Sequence, residues 1–129
     1  PIDESWILQS RFNTGKSSKE VFKKFWDAGN RPDGIVAANT QLALGARSYL
    51  YEKGVAVPED VSVMGYDDSA LAGYATPALT AVNIHKEQLG RQAAHCLLKR
   101  LENPNNPPER IVIPADIVVR DSVCDRRNP

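Results

Sequence analysis

The chain has 129 residues, 42% hydrophobic and 25% charged, the proportions of one globular domain with a modest core. Lys plus Arg and Asp plus Glu each number 16, so no net field draws it to phosphate or anionic lipid, and direct DNA contact by this segment is not expected. No apolar run reaches the roughly 18 residues of a spanning helix and no charged, then apolar, leader opens the chain, so a cytoplasmic protein with no membrane partner is expected.

Trp6 to Ser10 has the composition of a short strand, and the polar stretch Arg11 to Ser18 is the loop leaving it. Ser17 with Glu20 three residues on reads as a capping box for a helix carrying Val21, Phe22, Phe25, Trp26 and Ala28, stopped by Gly29 and Pro32. Asp33 to Ala38 is a near-continuous apolar run, as in a strand buried on both faces of a parallel sheet. Asn39 and Thr40 can cap a helix running to about Lys53, with Gly54 ending it. On that helix Leu42, Ala46, Tyr49 and Leu50 form the face that would cover the sheet. Leu44, Ser48 and Tyr51 form a second, mildly apolar stripe, which suggests a partner surface.

Val61 to Tyr66 and Leu79 to Ile84 read as the next strands. Lys86 to Glu102 is an amphipathic helix with Leu89, Ala93, Cys96, Leu97 and Leu101 on one stripe. Asn103 to Pro108 ends it, and Arg110 to Val119 is extended and kinked at Pro114, which suits an edge. The remainder from Val123, including residues 124–129, reads as a polar, frayed tail. Strand, helix, strand, helix, strand with short connections is the pattern of an α/β fold, a parallel sheet flanked by helices.

Three predicted strand ends carry Phe12, Asn39 and the pair Asp67-Asp68. Ligands of open parallel sheets bind outside the carboxyl ends of the strands, and an aromatic, an amide and a carboxylate there suit a polyhydroxylated small molecule. Each has a structural alternative: a packing residue for Phe12, and a helix cap for Asn39, Asp67 and Asp68, with Asp68 the stronger cap candidate. Cys96 and Cys124 lack zinc-site spacing, and adjacent helix positions turn His95 and Cys96 to different sides, so no metal or cofactor is expected. There is no Gly-x-Gly-x-x-Gly or Walker-type loop and no nucleophile with its base, so no catalytic residues are assigned.

The runs Pro32-Asp-Gly-Ile-Val-Ala-Ala-Asn-Thr-Gln-Leu-Ala-Leu-Gly-Ala46, Val57-Pro-Glu-Asp-Val-Ser-Val-Met-Gly-Tyr-Asp-Asp68 and Tyr74-Ala-Thr-Pro-Ala-Leu-Thr80, with their spacing, resemble the effector-binding core of the lac repressor/gal repressor family of bacterial transcription regulators. The resemblance covers about Glu4 to Val123. It implies one lobe of a two-lobed, periplasmic-binding-protein-like core, residues 1–123 serving effector binding and dimerisation. The helix 86–102 would pack on a first lobe that has little counterpart here, leaving its stripe to associate in a swapped or other non-native way. The resemblance further implies effector contacts at Asp67, Asn39 and Phe12, a homodimer interface including Leu44, Ser48, Tyr51 and Tyr74, and operator DNA bound only through a separate N-terminal domain. Thr40 departs from the family pattern, which has aspartate there, and Arg11 stands where an acid is usual. A sugar effector is favoured over a purine. A periplasmic sugar receptor of a transporter is the alternative function.

Overall fold

The structure, a computed structural model, describes residues 3–125. A short 3-10 turn, Glu4–Trp6, leads to helix α1 (Gly15–Asp27), strand β1 (Gly34–Val36), helix α2 (Thr40–Glu52), strand β2 (Ser62–Tyr66), the short helix α3 (Ala70–Tyr74), strand β3 (Thr80–Asn83), helix α4 (Lys86–Glu102) and strand β4 (Asp116–Val118). The strands lie in the order β1-β2-β3-β4. The first three run parallel, with Ile35 beside Val63 and Gly65 beside Ala81, while β4 runs antiparallel to β3, with Val82 beside Ile117. The fold is therefore α/β as expected, with one antiparallel edge added to a parallel sheet, a common arrangement.

Helices α1 and α2 pack together over one face of the sheet. Phe22, Ala43, Ala46, Tyr49, Leu50, Val61, Val63, Ala72, Leu79 and Ala81 form the buried core between these layers. The two helices approach so closely that a side chain at Gly45 would meet the Gly15 backbone oxygen at 2.2 Å, so this contact requires glycine. Helix α1 starts earlier than its sequence suggests. Thr14 is the N-cap, its hydroxyl accepting from the Ser17 N–H at 3.2 Å. Ser17, the expected cap, instead accepts from the Ser10 hydroxyl at 2.8 Å and the Phe12 N–H at 3.4 Å.

Trp6 to Ser10 is not a strand. Its residues form the end of the 3-10 turn and an unpaired extended segment, held by the Trp6 ring edge-on to Phe25 at 5.3 Å. Strand β1 is consequently an open edge. Val36 is 81% exposed, so the expectation of burial on both faces fails there. An apolar groove of about 540 Å³ lies along this edge, with Trp6, Leu8, Phe25, Ile35, Val36 and Leu42 among its walls. Leu42, expected on the core face of α2, is only half-buried and lines this groove, whereas Ala43 takes the core position.

Helix α4 has the predicted bounds, 86 to 102, yet contains no buried residue. Leu89, Leu97 and Leu101 of its stripe are all exposed. The segment after β4 is firmly tied to the sheet. Ser122 is fully buried; its hydroxyl donates to Val63 O at 2.6 Å and accepts from the Thr80 N–H at 2.8 Å, bridging β2 and β3. Cys124 is held as well, its N–H donating to Ser62 Oγ at 3.3 Å and its Sγ lying 3.3 Å from Pro58 O. The frayed tail expected from Val123 onward therefore does not begin there, and residues 126–129 of it lie outside the described residues.

Candidate functional site

Asn39 and Asp67 stand at the carboxyl ends of β1 and β2, on neighbouring strands. Asn39 has extended backbone, and its Oδ1 accepts from the Leu42 N–H at 2.8 Å, capping α2. The oxygen end of the amide is thus committed to the helix, leaving Nδ2 without a partner among the described residues. Asp67 divides its carboxylate in the same manner. Its Oδ1 accepts from the Thr40 hydroxyl at 2.7 Å and more weakly from the Thr40 N–H at 3.4 Å, while Oδ2 is not engaged by any of the described residues. Asp67 therefore does help to cap a helix, but that helix is α2 rather than the short one that follows it.

Thr40 organises this contact. It is 1% exposed, and its hydroxyl also lies 3.3 Å from Tyr66 O and accepts from the Ser69 N–H at 3.3 Å. A neutral hydroxyl here can donate to Asp67, whereas an aspartate would set two carboxylates against each other.

Asp68 is not the cap of the helix that follows it. Ser69 is the N-cap residue of α3, and Asp68 instead forms a forked ion pair with Arg120, Oδ1 to Nη1 at 2.7 Å and Oδ2 to Nη2 at 3.2 Å. Arg120 Nη1 also donates to Leu79 O at 2.7 Å. The two side chains are 22% and 15% exposed, so removing either partner would strand a largely desolvated charge. No local signal in the sequence could have revealed this pair, because the partners are 52 residues apart.

The turn that carries both acids is left-handed at two successive non-glycine residues, with φ of 77° at Asp67 and 39° at Asp68. Aspartate tolerates this region better than most residues, at a cost on the order of 1 kcal/mol each. Lys86, the first residue of α4, donates from Nζ to the carbonyl oxygens of both, at 2.9 Å for Asp68 O. His85 before it is also left-handed, at φ 48°. Its N–H donates to Asn83 Oδ1 at 3.0 Å, and its Nε2 lies 2.6 Å from Asp116 Oδ1. Asp68, Asn83, His85 and Lys86 border a polar hollow of about 580 Å³ beside the turn.

Phe12 is in the loop before α1, 59% exposed, with the Arg11 guanidinium 5.2 Å from its ring centre. Its ring is not packed into the core. Asn39 and Asp67 lie at neighbouring strand ends on either side of Thr40, and Phe12 makes no hydrogen bond to either among the described residues. Of the expected interface residues, Tyr51 and Tyr74 are 83% and 87% exposed, Ser48 is exposed, and Leu44 is half-buried against the core. Among the described residues no cluster of three His, Cys, Asp or Glu is placed to hold a metal ion. Nor is any helix long and apolar enough to cross a membrane.

Residues 4–123 match the periplasmic binding protein-like domain. The HTH-type transcriptional repressor PurR of Vibrio parahaemolyticus serotype O3:K6 is 35% identical over 123 residues, which are 95% of this chain and 36% of that protein. The chain thus spans about a third of the length of the curated relatives it matches. The transcriptional regulator CelR in complex with cellobiose superposes with a TM-score of 0.86 at 34% identity, over 95% of this chain and 37% of that one. The lac repressor dimer bound to operator and the anti-inducer ONPF superposes with a TM-score of 0.80 at 28% identity, over 87% of this chain and 39% of the repressor chain. These relatives are transcription regulators, not enzymes. Sequence blocks, strand order and superposition agree: the chain belongs to the periplasmic binding protein-like domain family, in its lac repressor/gal repressor branch of transcriptional regulators, and covers part of the effector-binding region.

Proposed function

We propose that this chain is the effector-sensing and dimerisation lobe of a regulator that represses or activates through a separate DNA-binding domain, and that Asp67, Asn39 and Phe12 contact the effector. The observation that carries the reading is the divided use of the two polar groups. One end of each is locked onto α2, and the other, a donor at Asn39 Nδ2 and an acceptor at Asp67 Oδ2, is left at the strand ends. Sugar hydroxyls both donate and accept, so a pair of this kind matches neighbouring hydroxyls, and the exposed Phe12 ring offers a stacking face. A sugar is therefore our first choice, and the cellobiose-bound relative supports it. The PurR relatives favour a purine as the second choice, for which Phe12 would serve equally.

In this reading α4 crosses to a first lobe contributed by sequence outside this chain, and its exposed leucines pack there. The exposed Tyr51 and Tyr74, with Leu44 and Ser48, face a second copy, in keeping with the dimeric lac repressor, and the assembled regulator is cytoplasmic. The test is calorimetric titration of a protein carrying both lobes with cellobiose, lactose, hypoxanthine and guanine. Asp67→Asn should weaken binding of whichever ligand responds by about 1.5–3 kcal/mol, the worth of hydrogen bonds to a charged acceptor. Unchanged affinity in that variant would leave Asp67 as a helix cap alone.

A further inference from the structure

We infer that Arg120 and Lys86 are positioning residues for Asp67, holding from outside the turn the backbone conformation that presents its carboxylate and tying that turn to the first residue of α4. The role assigned to Asp67 rests on the proposed function above, whereas the hold on the turn does not.

Two successive aspartates at positive φ do not hold themselves there, since each has ordinary extended and helical alternatives open to it. The conformation persists where surrounding structure over-determines it. Here Arg120 fixes the Asp68 side chain through a two-pronged bond, and its third contact, to Leu79 O, anchors the guanidinium to the sheet. The Thr80 hydroxyl accepts from the Arg120 N–H at 2.9 Å, so the backbone behind the guanidinium is pinned too. Lys86 gathers the two carbonyl oxygens of the same turn, both pointing to one cation. With its backbone set on both sides, Asp67 has its Oδ1 against Thr40, and Oδ2 is the oxygen left over.

Because Lys86 opens α4, and His85 just before it is bound to both Asn83 and Asp116, a displacement of the turn would be felt at the base of α4. The Asp67 turn and the start of α4 thus form one mechanical unit. No other side chain among the described residues is seen joining them so directly.

Amide hydrogen exchange of the 129-residue chain tests the hold without any ligand. The Thr40 and Ser69 N–H groups donate to Asp67 Oδ1 and Thr40 Oγ1, and neither touches Arg120 or Lys86. Their exchange should rise about tenfold in Arg120→Gln and a few-fold in Lys86→Met, while the amides of Tyr49 and Leu50 in α2 keep their wild-type rates. Lys86→Arg should restore protection, since it can still donate to both carbonyls. Unchanged exchange at Thr40 and Ser69 in both variants overturns the inference. A uniform rise in Arg120→Gln that includes Tyr49 and Leu50 would make Arg120 a stability residue only, and Lys86→Met, at an exposed position, then decides the matter by itself. Titration of the two-lobed protein with cellobiose separates the two readings. Loosened amides with weaker binding support both, and loosened amides with Asp67→Asn binding like wild type leave the hold standing and the effector role refuted.

Discussion

Helices α2 and α4 are both amphipathic, and they have opposite fates. In α2, Thr40, Ala43, Gly45, Ala46, Tyr49 and Leu50 are buried against α1 and the sheet. In α4, no residue is buried, and Leu97, Leu98 and Leu101 are 60%, 59% and 68% exposed. An apolar stripe records that a helix needs a partner, not that its own chain supplies one. The whole molecule shows the same deficit. Its accessible surface is 9165 Å², against roughly 6,800 Å² for a compact monomer of this mass. The difference, about 2,400 Å² by that scaling, is of the size that a substantial interface buries. The open edge at β1 and the uncovered stripe of α4 are among the exposed apolar surfaces.

Truncating one leucine on each helix separates the two cases most directly. Leu50→Ala removes a fully buried side chain from the α2 core and should cost about 2–5 kcal/mol in urea unfolding, while Leu97→Ala on α4 should change the dilute monomer by less than about 0.5 kcal/mol. A large loss at Leu97 would show that α4 folds back onto its own sheet. Gly45→Ala pushes a methyl into the Gly15 backbone and should destabilise by about 3 kcal/mol, near the upper end of overpacking costs, measured the same way.

The uncovered stripe should also make the chain associate as concentration rises. Sedimentation should show dimers or larger species at high concentration, and Leu97→Glu with Leu101→Glu should return it to monomer; a monodisperse wild-type monomer would contradict this expectation.

A smaller effect concerns the packed side. The Lys23 ammonium and then the Tyr49 hydroxyl, the latter 2.6 Å from Oδ1, donate to Asp27 and hold its carboxyl below the usual range. A carboxyl lowered on folding adds stability that is present above its unfolded pKa, near ~3.9, and is lost as pH falls through the folded value. Asp27→Asn should therefore flatten the acid limb of the stability curve below about pH 4, with little change in shape above it. Lys23, raised first by its hydrogen bond to Asp27, behaves in the mirror sense, its contribution fading only as pH climbs past the ordinary lysine range.

Much of this fold is legible because local chemistry and tertiary demand coincide. The bounds of α4 follow from its periodicity and the Asn-Pro run after it, and the Asn39 cap from its place before an apolar-periodic segment. The start of α1 is not legible locally because Thr14 and Ser17 have the same capping chemistry, and the extra residues at its start bring Gly15 against Gly45. Asp68 looked like a cap because its partner, Arg120, is far along the chain and carries no motif. Trp6 to Ser10 has a strand's composition, but a strand exists only by pairing, and here the segment stands off the β1 edge.

The sequence by itself determined the α/β class, the family and the two polar residues at strand ends, since periodicity, caps and block spacing are local properties of the chain. The tertiary structure alone decided which oxygen of Asp67 and which end of Asn39 remain unengaged, that Arg120 and Lys86 brace the turn, and that α4 stands uncovered. Those outcomes depend on contacts between residues far apart in the chain and on surface that has no partner within it, and neither is encoded in any single window of residues.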